Sequence, residues 1–108
     1  CQNWENFWLN EGWTVFIERK VSTVKYGGDF ALVEAQLGNT SLAGDINAFG
    51  PTNSYSSLHP VLGNDNPDKS FSEVPYEKGF QLLPYLESLV GDDMFQQFAQ
   101  YYIKMNFL

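Results

Sequence analysis

The sequence predicts a mainly α chain. Three observations carry that. Four stretches repeat apolar residues at helical spacing. Glycines stand where those stretches end. Nowhere does a run alternate strictly between apolar and polar residues, as a half-buried strand would.

The first helix begins between Trp4 and Leu9 and runs to about Tyr26, where Gly27-Gly28 stops it, glycine tolerating the left-handed cap. Asp29 is placed to cap a second helix with Phe30, Leu32, Val33 and Leu37 as its apolar side. Gly38-Asn39 interrupts that helix, and a weaker helical piece follows from Leu42 to Phe49. From Gly50 to Ser72 the chain is dense in Gly, Pro, Asn, Asp and Ser and reads as a long loop, a kind of segment that tends to be functional or flexible. Ser72 can cap a further helix from Tyr76 to about Val90, with Pro75 tolerated in its first turn. Pro84 lies inside that helix and predicts a kink near Phe80 to Pro84, because proline removes one backbone hydrogen bond. Gly91 closes it, and a last helix runs from Asp92 to about Lys104 on a buried stripe of Met94, Phe95, Phe98, Ala99 and Tyr102. No repeat or linker divides the chain, so residues 1–108 read as one unit.

The 13 acidic and 6 basic residues give a net charge of −7, which excludes phosphate-binding nucleic-acid partners that need clustered Lys and Arg. Acidity suits attraction of a positively charged peptide N-terminus, and it is equally ordinary for a cytosolic protein. No apolar run reaches transmembrane length, so no membrane partner is expected. The one cysteine, Cys1, leaves no internal disulfide and leans towards a reducing, cytoplasmic compartment. Asn39-Thr40-Ser41 fits a glycosylation sequon, a pattern short enough to arise by chance. Aromatics make up 17% of the chain, which implies surfaces meant to be covered by other segments, the face around Phe7, Trp8 and Val15 among them.

The oddity of the first helix is Glu11. At about 100° per residue, Phe7, Trp8, Val15 and Glu18 all fall within about 60° of it. Two carboxylates thus share a face with large apolar side chains. Carboxylates are seldom fully buried unless paired or bound to metal. Either something cationic sits against this face, or Glu11 and Glu18 reach solvent at its edge.

The run Trp8-Leu9-Asn10-Glu11-Gly12, followed seven residues later by Glu18, resembles the metal-ligand helix of the gluzincin zinc aminopeptidases, in the branch of leukotriene A(4) hydrolase and aminopeptidase B. Pro75-Tyr76-Glu77-Lys78-Gly79 resembles a second motif of that branch, in the same order along the chain. The resemblance runs from about Trp4 to Gly91 and is poor between Gly38 and Asn64.

The resemblance implies the helical part of a thermolysin-like metallopeptidase catalytic domain. It makes Glu11 one zinc ligand, the two zinc-binding His coming from an HExxH helix. It makes Tyr76 the donor to the oxyanion of the tetrahedral intermediate; by itself Tyr76 reads as an ordinary half-buried tyrosine. Glu18 and Asn10 could orient a zinc-binding His through hydrogen bonds. Glu18 could equally be solvated or ion-paired. Glu77 and Lys78 read as solvated or paired with other charged groups. Asp68 matches an acidic residue just before the family's active-site tyrosines. Phe71 stands where the epoxide-hydrolase member has a tyrosine, which argues against epoxide hydrolysis. His59 lies outside both motifs.

HExxH is absent from the 108 residues, and the chain begins at Cys1 rather than Met. The expectation is therefore an incomplete catalytic domain, part of a larger zinc metalloprotease that removes N-terminal residues from peptide substrates. The piece alone would be inactive. A catalytically dead helical remnant serving as an interaction module is the alternative.

Overall fold

The computed structural model describes residues 3–106. Cys1, the lone thiol, lies outside them. Helix α1 (Trp8–Tyr26), α2 (Gly28–Phe49), α3 (Gly79–Val90) and α4 (Asp92–Asn106) account for most of the chain, and there is no strand among the described residues. A 3-10 turn at Trp4–Asn6 precedes α1, and its first N–H groups are met by the Asn3 side chain, which accepts from the Asn6 N–H.

The boundaries of α1 follow the sequence. Gly27 adopts φ 95°, a conformation that costs a residue with a Cβ but not glycine, and its N–H closes the helix on the Thr23 carbonyl. The same glycine then stands ahead of α2, so the two helices turn back on each other across one residue. Asp29 is not the cap. It lies in the first turn of α2, where its charge faces the positive end of the helix dipole.

Helix α2 departs most from expectation. It runs unbroken through Gly38-Asn39 for 22 residues, and the separate piece from Leu42 to Phe49 is its last two turns. Its packed face is also different. Phe30, Leu32, Val33 and Leu37 are all exposed, while Ala31, Glu34, Ala35, Gly38 and Leu42 turn inward. Three of these five, Ala31, Ala35 and Gly38, are small, and at Gly38 something fits against the helix. At Gly38 an added Cβ would run into the carboxylate of Glu77. A mid-helix glycine costs about 1 kcal/mol against alanine, and here that cost admits a buried charged group.

The stretch from Gly50 to Ser72 contains two 3-10 turns, Ser54–Ser56 and Pro67–Ser70, each headed by an asparagine whose side chain accepts a backbone N–H. The loop is fastened at three points. Glu5 Oε1 accepts from the Leu62 N–H (3.0 Å), Lys78 Nζ donates to the Ser56 carbonyl (2.8 Å), and Ser56 Oγ donates to the Gly50 carbonyl (2.8 Å).

A π turn, Val74–Lys78, leads into α3. Its N-cap is Glu73 rather than the expected Ser72, and Glu73 makes no side-chain cap bond; the Ser72 hydroxyl accepts from the Val74 N–H (3.2 Å), and Asp45 of α2 accepts from the Glu73 N–H (2.6 Å). Helix α3 continues across Pro84 without a break. The irregular backbone lies upstream, in the wide turn that carries Tyr76.

Helices α1, α3 and α4 meet in a small core of Phe16, Leu83 and Phe95, with Trp13 and Phe80 packed against it. Trp13 stacks on Phe95 at 5.6 Å between ring centroids. Of the stripe expected on α4, only Phe95 is buried; Met94, Phe98 and Tyr102 are exposed and Ala99 is half-buried. The face around Phe7, Trp8 and Val15 is partly covered: Val15 is buried and the two aromatics are half-buried.

Helices α1 and α3 cross where Gly12 meets Gly79. A Cβ on Gly12 would lie 2.8 Å from the Gly79 Cα, and one on Gly79 would lie 2.9 Å from the Gly12 Cα. Neither neighbour is a side chain that could swing away. Gly12→Ala should therefore destabilise by about 1–3 kcal/mol through overpacking. Gly44→Ala is its control, because nothing lies within 4 Å of a Cβ there and the helix should gain about 0.5–1 kcal/mol. Thermal melts of the two variants, in the polypeptide that carries this chain, should move in opposite directions.

Burial first, then the charges of Glu77 and Asp45, push the Glu73 carboxyl above the usual carboxylate range. The folded state thus binds a proton more readily than the unfolded one, and Glu73's contribution falls as pH rises through its folded pKa. Glu73→Gln should raise the melting temperature at pH 7, and the gain should vanish below about pH 4, where the unfolded carboxyl is protonated too.

Candidate active site

The crossing of Gly12 and Gly79 places Glu11 and Tyr76 on facing elements. Glu11 precedes the contact glycine on α1, and Tyr76 stands three residues before its partner, in the π turn. Both side chains are half-buried. The Tyr76 ring meets Phe7 edge-on at 6.1 Å and Phe71 edge-on at 6.4 Å, so aromatic rings from two segments fix its plane. Burial raises the Tyr76 phenol above its ordinary pKa, and the negative charges of Glu11 and Glu73 raise it further. The two residues singled out from separate motifs stand on elements whose backbones touch at Gly12 and Gly79. Like any tyrosine at neutral pH, Tyr76 carries its phenolic proton and can donate a hydrogen bond.

Among the described residues, the Glu11 carboxylate has neither a hydrogen-bond donor nor a cationic partner. An anionic oxygen donor held half-buried in this way suits a metal ion. Among the described residues, no three His, Cys, Asp or Glu side chains come together to hold one. The donor set therefore fits zinc as one ligand and no more.

The remaining candidates spread outward. Glu18 is exposed, two turns along α1 from Glu11. Asn10 is exposed next to Glu11, and its backbone is bound into the helix, its carbonyl accepting from the Thr14 hydroxyl (2.8 Å). Asp68 and Phe71 are exposed, and both line a cavity of about 220 Å³ together with Trp4, Phe7, Tyr55 and Pro75. That cavity adjoins the Tyr76 ring through Phe7 and Phe71. His59 is exposed in the loop, outside this cluster.

Of the two readings of Glu77, solvated or paired, the fold realises the paired one, and the side chain is buried. Its carboxylate takes two hydrogen bonds from Arg19, at 2.9 and 2.7 Å. Sequence reasoning passed over Arg19, yet a signal was present. Gly12, Val15, Phe16, Arg19 and Ser22 form one buried stripe at helical spacing. An arginine in such a stripe requires a carboxylate opposite, and Glu77 is the one the fold supplies.

Residues 1–107 match the model of the peptidase family M1 domain. The leukotriene A-4 hydrolase of Xenopus laevis is 47% identical over 105 residues, which is 96% of this chain and 17% of that protein. The leucine aminopeptidase 2 of Aspergillus terreus is 41% identical over 100 residues, covering 93% of this chain and 16% of the relative. The structure of yeast LTA4 hydrolase in complex with bestatin superposes with a TM-score of 0.86 at 40% identity, over 94% of this chain and 17% of that one. The chain thus spans about a sixth of the length of the relatives it matches, and its helices correspond to a helical part of a thermolysin-like metallopeptidase domain. With one family model covering all but its last residue, the chain belongs to peptidase family M1.

Proposed function

We propose that the polypeptide carrying this chain is a zinc aminopeptidase that removes N-terminal residues from peptides, and that these residues contribute one metal ligand and one oxyanion donor. The observation that supports the reading is the Gly12–Gly79 backbone contact, which sets the element of Glu11 against the turn of Tyr76, whose ring meets Phe7 and Phe71 edge-on. The M1 relatives support it, one of them a leucine aminopeptidase.

Glu11 would hold the zinc through a carboxylate oxygen, and the two remaining protein ligands would be the His residues of HExxH, outside this chain. Zinc, when bound, supplies Lewis acidity that makes water a nucleophile near neutral pH. Tyr76 keeps its proton on Oη and offers it as a hydrogen bond to the oxygen that becomes negative as the peptide carbonyl is attacked. Phe7 and Phe71 hold the ring, so the hydroxyl need not reorganise as charge develops. The cavity beside them, walled by Trp4 and Pro75, would exclude water from the substrate's apolar side chain. A cytoplasmic location belongs to the same proposal and rests on the single cysteine.

Two substitutions in the full-length polypeptide separate the roles. Glu11→Gln keeps the shape but offers a neutral, weaker ligand, so zinc content and activity should fall together. Tyr76→Phe removes one hydroxyl, so kcat should fall by about 10²–10³ while zinc content and KM hold. Metal analysis beside steady-state kinetics reads both. Loss of zinc in Tyr76→Phe, or full kcat, would remove Tyr76 from the mechanism.

The 108-residue chain purified by itself should hold no stoichiometric zinc after dialysis, because affinity needs the full ligand count. Retained zinc at one per chain would show that ligands other than Glu11 lie within it.

A further inference from the structure

We infer that Arg19 and Glu77 are positioning residues for Tyr76, setting the rotation of the π turn that carries the phenol. The inference rests on the oxyanion role proposed above for Tyr76.

Three consecutive side chains of the turn are each secured by a different part of the fold. Tyr76 is clamped between Phe7 and Phe71. Lys78 is bound to the Ser56 carbonyl in the loop. Glu77, between them, points into the interface of α1 and α2 and meets the strongest constraint of the three. Its two oxygens take a forked pair of bonds from the Arg19 guanidinium, and both side chains are about nine-tenths buried. Arg19 in turn cannot pivot. Its Nη2 also donates to the Glu34 carbonyl of α2 (3.3 Å), and its plane lies over the Phe80 ring at 4.1 Å. Gly38 closes the far side of the Glu77 carboxylate.

A turn anchored at both carboxylate oxygens of Glu77 resists rotation about its own axis. Tyr76 is the adjoining residue, so a rotation there would swing the phenol out of place. The wide π geometry makes this control necessary, since such a turn is held less uniformly than an α-helical one. Arg19 lies on the same helix as Glu11, eight residues on, so the ligand and the donor take their relative placement from one rigid rod. Net stability does not explain the pair, because a buried ion pair is often no more stabilising than apolar groups of the same size. Placement does. Misplacement of a reacting group by about 1 Å can cost about 10² in rate.

The test is a double-mutant cycle in the full-length polypeptide, with kcat, KM and zinc content measured on each member. Arg19→Lys keeps the charge and loses the fork. It should lower kcat by about tenfold to a hundredfold, with KM and zinc content unchanged. In the Tyr76→Phe background the same substitution should cost nothing further, because the hydroxyl it positions is gone. Full kcat in Arg19→Lys, or an equal loss in both backgrounds, overturns the proposal. Full kcat in Tyr76→Phe alone instead overturns the oxyanion reading. If Arg19→Lys gives no folded enzyme, Arg19→Met with Glu77→Leu replaces the pair by apolar groups. The same outcomes then decide: a folded enzyme with low kcat and no added loss on Tyr76→Phe supports the proposal, and full kcat overturns it.

Discussion

The Arg19–Glu77 ion pair is the constraint on which the rest of this arrangement depends. Taking both charges out of water carries a cost of several kcal/mol per ion, which only close geometry offsets. The chain meets that demand on every side. Arg19 spends its donors on two carboxylate oxygens and a helix carbonyl, and its face rests on Phe80. Glu77 can enter only because α2 has no side chain at Gly38. Three elements are thereby fixed by one pair: α1 through Arg19, α2 through the Glu34 carbonyl and Gly38, and the π turn through Glu77. Removing either partner would strand a buried charge, so the pair behaves as a unit whose two ends cannot be exchanged independently.

The second constraint is steric. Gly12 and Gly79 allow α1 and α3 to touch backbone to backbone, which is closer than any residue with a Cβ permits. The contact lies one residue from Glu11 and three from Tyr76, so neither can shift without moving a helix. An interior packed in this way has discrete arrangements rather than a soft range of them. The ion pair governs rotation of the turn, and the glycine contact governs its distance from α1. Together they define where the phenol stands relative to the carboxylate.

Much of this was legible in the sequence, and the limits have physical causes. Helix ends could be read because Gly27 and Gly91 mark them with a conformation that other residues avoid. Glu11 and Tyr76 drew notice because each stood in a motif, and they lie on elements whose backbones touch at Gly12 and Gly79. The burial of Glu77 could not be read from its own surroundings, since Lys78 and Gly79 beside it suggest a solvated turn. It depends on Arg19, 58 residues away. Gly38 looked like a helix breaker for the same reason: its purpose is a carboxylate on another element. Local propensity describes the cost of a mid-helix glycine and is blind to what fits against it. The expected apolar side of α2 failed differently. Phe30, Leu32, Val33 and Leu37 are hydrophobic, yet the chain packs α2 by its small residues and leaves these four outward.

That outward face bears on how the site is supported. The chain exposes 7527 Å², against roughly 6,100 Å² for a compact monomer of this mass. Ile17, Val21 and Val24 on α1 and Phe98, Tyr101 and Ile103 on α4 stand exposed along with the four residues of α2. Exposed apolar side chains on this scale suit contact with other structure. The division is physically sensible. The elements that carry the chemistry are held to one another by buried polar bonds and backbone contact, which are directional and fix position. The apolar faces of α1, α2 and α4 are non-directional and suit adhesion to neighbouring structure. Directional contacts therefore set the geometry within the site, while apolar area is left to set how firmly these helices seat against whatever surrounds them.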